Sequence, residues 1–148
     1  MKKKNNITWK YNRGPVSDKI VAGVEKTFNV KFPEDYIGCI KTNNGGRPDP
    51  RVFDFEGHGE AVFSSLLHFD LKKKGSITSI YDHIKKRLPN NVFPFASDSF
   101  GNYLCFDYRN SDSPIIVFWN HEIPGDAAIR SVCSSITELL GKLYSPRQ

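Results

Sequence analysis

The sequence predicts an α+β domain with an antiparallel meander, and three observations carry that reading. Apolar residues recur at helical spacings of three and four across residues 17–43, 76–88 and 134–143. Alternating or continuous apolar runs occupy 51–63 and 93–119, separated by short clusters of turn residues. The two patterns are segregated along the chain, as α+β folds require, and the strand segments are too closely spaced for crossover helices. A chain of 148 residues fits one domain, and eleven Phe, six Tyr and two Trp supply the area for a core.

The first helix starts after Ser17, a hydroxyl N-cap, with Asp18 where negative charge suits the helix dipole. Val16 and Val21 are spaced for a hydrophobic staple, and Ile20, Val24 and Phe28 repeat as one stripe. Gly23 in that helix costs about 1 kcal/mol relative to Ala, which points to close packing there. The second helix begins at Pro33, with Glu34 and Asp35 in its first turn and Tyr36, Ile37 and Ile40 facing inward. It stops at Asn43-Asn44-Gly45-Gly46, residues that take the left-handed conformation of a C-cap. Arg47-Pro48-Asp49-Pro50 reads as a loop. Arg51 to Phe55 alternates with Phe53 and Phe55 on one face, Glu56-Gly57-His58-Gly59 turns, and Ala61-Val62-Phe63 is a second short strand. Lys72-Lys73-Lys74-Gly75 is a solvated loop before Ser76, which caps a helix with Ile77, Ile80, Ile84 and Leu88 on one face. Phe93 and Phe95 flank Pro94, which implies a strand start or edge. Tyr103 to Tyr108 is an aromatic and apolar strand, and Ile115 to Trp119 is apolar enough to be a central strand covered on both faces. A last helix from about Ser134 carries Ile136, Leu139, Leu140 and Leu143.

Charge is unevenly placed. Lys2, Lys3, Lys4, Lys10 and Arg13 stand without an acid among them, and the rest of the chain balances, with 16 basic and 16 acidic residues. The leader reads as a solvated terminus, and nucleic-acid binding is not expected because such modules spread basic residues through the folded part. No apolar stretch follows the leader to make a secretory signal, and no run approaches the roughly 18 apolar residues of a membrane span. Cys39, Cys105 and Cys133 form no CxxC pair, so a structural zinc site has no support; free thiols suit a reducing cytoplasm.

Each chemistry-bearing cluster has a structural reading beside the functional one. Asp98 and Asp107 are possible ligands for a cation or a partner's basic group, but Asp98 is placed to bond nearby amides and Gly101-Asn102 to supply positive backbone angles in a turn. Asn43-Asn44-Gly45-Gly46 lacks the preceding strand and following Lys-Ser/Thr of a phosphate loop. His58-Gly59-Glu60 has no Pro-Cys-x-x-Cys to complete a deaminase site. Cys105 with His121 is the one arrangement that suggests thiol catalysis, and an apolar strand favours an inert thiol. No cofactor is expected. His68 and His83 have no ligand-spaced partner. The acidic stretch Asp49, Asp54, Glu56 and Glu60, relieved only by Arg51, is a candidate face for a basic partner, and Trp9 and Tyr11 are candidate aromatic anchors. Trp119 ends a central strand and reads as core.

Several words in order resemble one family. They are Ile20, Val24-Glu25, Phe32-Pro33-Glu34-Asp35-Tyr36, Asn44-Gly45-Gly46, Pro94-Phe95-Ala96-Ser97-Asp98, Gly101-Asn102, Cys105-Phe106-Asp107-Tyr108, Ile116-Val117-Phe118-Trp119 and His121-Glu122. From about Val16 to Leu143 the chain resembles the SUKH superfamily, which includes the Smi/Knr cell-wall regulators and many bacterial immunity proteins. The resemblance implies a single α+β domain over residues 15–145, between a basic leader (1–14) and a short tail (146–148). It implies a curved, mainly antiparallel sheet of about five to six strands packed by three to four helices. It also implies a non-catalytic binding protein, one that neutralises a cognate toxin or serves as a scaffold in cell-wall synthesis or signalling. Pro33, Tyr36, Gly45, Gly46, Asp98, Gly101, Asn102 and Asp107 are then framework residues. The balanced charge departs from the acidity common in inhibitors of basic nucleases.

Overall fold

The computed structural model describes residues 6–146; Lys2, Lys3 and Lys4 of the basic leader lie outside them. In chain order the elements are β1 (Thr8–Lys10), α1 (Asp18–Phe28), α2 (Glu34–Thr42), β2 (Arg47–Asp49), β3 (Val52–Phe55), β4 (Gly59–Val62) and β5 (Ser65–Leu66). They continue with α3 (Ile77–Ile84), β6 (Val92–Ser97), β7 (Tyr103–Asp107), β8 (Ile115–Trp119), β9 (Ile129–Cys133) and α4 (Ile136–Lys142). Strands β5-β6-β7-β8-β9 form one sheet in sequence order, every neighbour antiparallel, and β1-β2 and β3-β4 form two smaller pairs. The expected α+β class and antiparallel meander are therefore present.

The helices start where their caps predict. Ser17, Ser76 and Ser135 each accept a backbone N–H from the first turn, at 3.2, 3.2 and 3.0 Å. Val16 and Val21 are both buried, as a staple requires. The phase of α1 differs from expectation: Ile20 is 38% exposed, and the buried face runs through Val21, Val24 and Phe28. Gly23 meets no atom where a Cβ would stand, so close packing is not its reason. Pro33 sits one residue outside α2, at its N-cap. Of the four residues that end α2, only Gly45 takes a positive φ, 71°; α1 instead uses Asn29 as a left-handed cap, its N–H reaching the carbonyl of Lys26.

Four strands, β1, β2, β5 and β9, escape the sequence patterns. Arg47–Asp49, expected as loop, pairs with Thr8–Lys10, placing Trp9 opposite Pro48. β9 completes the sheet beside β8. Pro94 lies in β6, paired with Cys105 of β7 on one side only, because β5 reaches no further than Ala96; its position is a local edge, as expected, although β6 is an inner strand. It is tolerated because the ladder shifts register between Pro94 and Ala96, and because β5 pairs only with Ala96 and Ser97.

The main sheet is covered on both faces. On one, Leu104 and Phe106 of β7 and Ile116 and Phe118 of β8 join α1, α2, α4 and the β3-β4 hairpin in the larger core. Phe95 stacks on Phe106 at 4.3 Å, with Tyr36 edge-on to both. On the other face Cys105, Val117 and Trp119 pack under Ile84 and Leu88. Each such large side chain removed from water contributes roughly 1.5–3 kcal/mol. The two outer strands differ in form. β5 has two residues, and its Leu66 N–H donates at 2.9 Å to Gly46 O, just before β2. β9 carries a register shift opposite Ile116 and Val117.

Candidate partner-binding surface

Two of the acids singled out by sequence, Asp98 and Asp107, are committed to the framework. Asp98 Oδ1 accepts the N–H groups of Phe100 and Asn102, both at 2.8 Å, and its Oδ2 accepts Asn102 Nδ2 at 2.8 Å. Gly101 supplies the positive angle of this turn, φ 91°, while Asn102 does not. Asn102 instead bridges outward: its Oδ1 accepts from His121 N at 3.0 Å and lies 2.7 Å from His121 Nδ1. The His121 ring lies against Gly101, where a Cβ would meet it at 3.1 Å. Arg87 donates to His121 O and stands over the Trp119 ring. At the far end of β7, buried Asp107 accepts Arg109 N, Nε and Nη2 at 2.9, 3.0 and 2.9 Å. Burial pushes its carboxyl up, but the Arg109 hydrogen bonds and charge outweigh that and hold it below the usual carboxylate range. Asp98 and Asp107 thus serve separate ends of one strand, and among the described residues no three His, Cys, Asp or Glu side chains come together to hold a metal.

Three further pins have no local sequence signal, because their partners are distant backbone amides. Glu25 Oε2 accepts Phe32 N at 2.6 Å, closing the α1–α2 link. Asp35 Oδ2 accepts both N and Oγ1 of Thr137, at 2.9 and 3.0 Å, tying α2 to α4 across 102 residues. Asn44 Oδ1 accepts Phe69 N at 2.7 Å in the interior. Tyr36 fills the core, and its hydroxyl has no hydrogen-bond partner among the described residues.

Cys105 and His121 do not form a catalytic pair. Burial, then the charge of Asp107, pushes the Cys105 thiol well above its ordinary value, and His121 is committed to Asn102. Burial also pushes Cys39 and Cys133 up to about 11, and all three thiols are free. His68 is buried, with Nε2 on Lys74 O and Nδ1 accepting Asp70 N, so it holds the 70–75 loop. His58 stacks on Phe55 at 4.7 Å.

The remaining acids lie together. Asp54 and Glu60 are directly opposite on β3 and β4, both exposed, with Glu56 in the intervening turn. Among the described residues the ion pairs involve other side chains: Arg13 with Asp70, Lys41 with Asp18, Lys85 with Asp82 and Arg109 with Asp107. The neighbour that sequence reasoning missed is Tyr144, whose hydroxyl donates to Asp54 Oδ1 at 2.7 Å. That bond, then desolvation and the charges of Asp54 and Glu60, pushes the phenol up to about 12 and keeps it a donor. Beside the hairpin an open cavity of about 420 Å³ brings Asp49 and Glu60 to Lys10, Arg47 and Arg51, so basic residues other than Arg51 also temper the acidic stretch.

The two aromatic candidates separate. Trp9 is half-buried, edge-on to Phe63 at 6.1 Å. Tyr11 is 70% exposed, holds a left-handed φ of 66°, and has the Arg47 guanidinium 5.8 Å from its ring centre. Bulky side chains rarely accept that backbone angle. Trp119 is core.

A family model described as SUKH_6, SMI1-KNR4 cell-wall, matches residues 18–140. No curated protein matches the chain. No helix among the described residues is long and apolar enough to cross a membrane.

Proposed function

The chain belongs to the SMI1-KNR4 family of the SUKH superfamily, and on that premise we propose that it is a non-catalytic protein-binding domain, a bacterial immunity protein that neutralises a cognate toxin by covering it. The observation that carries this reading is the acidic hairpin. Like charges directly opposite on paired strands are unfavourable, yet Asp54 faces Glu60 with neither in an ion pair among the described residues. A basic partner surface relieves that repulsion and speeds encounter. Asp49 and Glu56 extend the acidic stretch, Tyr11 adds an exposed ring held in a strained conformation, and Trp9 is half-buried close by in sequence. The mechanism is occlusion: the bound domain denies the toxin its substrate, and no bond in the toxin changes. Three free cysteines fit action in the cytoplasm.

Co-expression with the toxin encoded beside this gene tests the reading. The wild-type chain restores growth and co-purifies with the toxin, and a chain carrying Asp54→Lys and Glu60→Lys, folded by circular dichroism, does neither. A neighbouring toxin that stays lethal under excess wild-type chain rejects it. The words "cell-wall" in the description of the matched family favour a second reading, a regulatory scaffold in cell-wall synthesis or signalling. Capture of a wall-synthesis enzyme or kinase, in place of a toxin, selects that alternative.

A further inference from the structure

His68 is a buried titratable side chain that the proposed binding face does not use; it is 9% exposed and stands just before the 70–75 loop. Both of its ring nitrogens are spent on backbone groups. Nδ1 accepts the Asp70 N–H at 3.2 Å, so it carries no proton. Nε2 lies 2.9 Å from Lys74 O, a group that only accepts, so it carries one. These partners fix the ring as the neutral tautomer with its hydrogen on Nε2. One imidazole thus holds the loop at both ends, at residue 70 and at residue 74.

The imidazolium cannot keep this arrangement. A proton on Nδ1 turns the acceptor into a donor that faces the Asp70 N–H. A buried charge set against a second donor is costly unless an anion meets it. The surroundings supply little relief. Arg13, Lys74, Tyr11 and Tyr103 line the same open cavity of about 500 Å³ as His68, and α3 adds only the uncharged Ile80 to that lining besides. Arg13 and Lys74 are cations, which disfavour a further positive charge. The loop's own acid, Asp70, is already paired with Arg13 at 3.3 Å.

Little else holds the loop. Among the described residues its remaining ties are Lys73 N to Asp70 O at 2.9 Å and that Arg13–Asp70 pair, whose side chains are 41% and 42% exposed. Exposed ion pairs contribute little. The flanks are fastened independently of the ring: Phe69 N donates to Asn44 Oδ1 at 2.7 Å, and Ile77 N to His68 O at 2.9 Å. We propose that His68 is a proton-operated latch, which closes residues 70–75 onto the domain when its ring is neutral and releases them when the ring is protonated. The sign follows from the bond to Asp70 N: it exists only with the neutral ring, so closure is present at neutral pH and lost as pH falls through the histidine range of about 8 to 5. Leu71 and Lys72 to Lys74, all exposed, move with the loop, so acidification frees a basic segment. The latch does not rest on the acidic hairpin or on the identity of any toxin.

The test is amide hydrogen exchange of the full chain by NMR at about pH 7.5 and about pH 5, corrected for intrinsic rates, with imidazole nitrogen shifts reporting the ring. The shifts should show the Nε2–H tautomer at the higher pH. As the ring protonates, protection of the Asp70 and Lys73 amides should fall about tenfold or more, while the Phe69 and Ile77 amides keep theirs. His68→Asn sets a non-titrating oxygen near the place of Nδ1 and should abolish the pH dependence. Should that variant fold poorly, Asp70→Asn keeps the imidazole and removes the carboxylate, and it should retain the fall. A ring that protonates with Asp70 and Lys73 protection unchanged, a ring still neutral at about pH 5, or the same fall in well-folded His68→Asn overturns the latch.

Discussion

The β7 strand with the turn before it, and the β3-β4 hairpin, both carry acidic residues, and they use them in opposite ways. At the ends of β7, Asp98 and Asp107 accept six hydrogen bonds from Phe100, Asn102 and Arg109. On the hairpin, Asp54 and Glu60 face one another, and one tyrosine hydroxyl donates to Asp54. The difference teaches how to sort acids in this chain. Those whose oxygens satisfy amides or a fixed guanidinium build the fold; those left facing water are available to a partner.

Substitutions that break this contrast should rank by how deeply the acceptor is engaged. Asp107→Ala strips Arg109 of its partner beside a buried strand and should cost about 3 kcal/mol in denaturant unfolding. Its pH signature follows from the lowered carboxyl. The stabilisation is complete above the ordinary value of 3.8 and is lost as pH falls below it through the native value. Acid titration of the Asp107→Ala variant should therefore lack that part of the stability loss, and an unchanged acid profile would refute the role. Asn44→Ala leaves the interior Phe69 N–H without its acceptor and should cost about 2 kcal/mol by the same measurement.

Tyr36→Phe sharpens the contrast from the other side, because its buried hydroxyl has no hydrogen-bond partner among the described residues. Removing it should raise stability by about 1 kcal/mol, seen as a higher melting temperature. The smallest effect is expected on the hairpin. Glu60→Gln should shift stability by less than about 0.5 kcal/mol, while weakening a basic partner measurably in a binding titration. A large loss of stability there would place Glu60 among the framework acids.

The helices were legible because caps and apolar spacing are local: Ser17, Ser76 and Ser135 each sit where their amides need an acceptor. The phase of α1 was less so, since Ile20 and Val21 are both apolar and both compatible with Val24 and Phe28; which is buried depends on what packs against the helix. The β1-β2 pair was illegible because three residues bearing a proline carry too little pattern, and the pairing joins segments some forty residues apart. Arg130 and Ser131, exposed and polar, hid β9. For the candidate surface, Asp49, Asp54, Glu56 and Glu60 stood out as a charge run. Tyr144 and the cavity beside Arg47 did not, because only folding brings the C-terminal segment to the hairpin.

The two ends of the main sheet bear on how such a chain tolerates its own abundance. The capture proposed above requires the chain to outnumber its target, and crowded sheets tend to zip together through unused ladder groups. Here one margin is a two-residue stub whose Leu66 amide is occupied by Gly46, and the other is kinked out of regular spacing beside Ile116. Neither offers the long, flat template on which fibrils grow, so a high concentration of the chain carries little risk of self-assembly along the sheet.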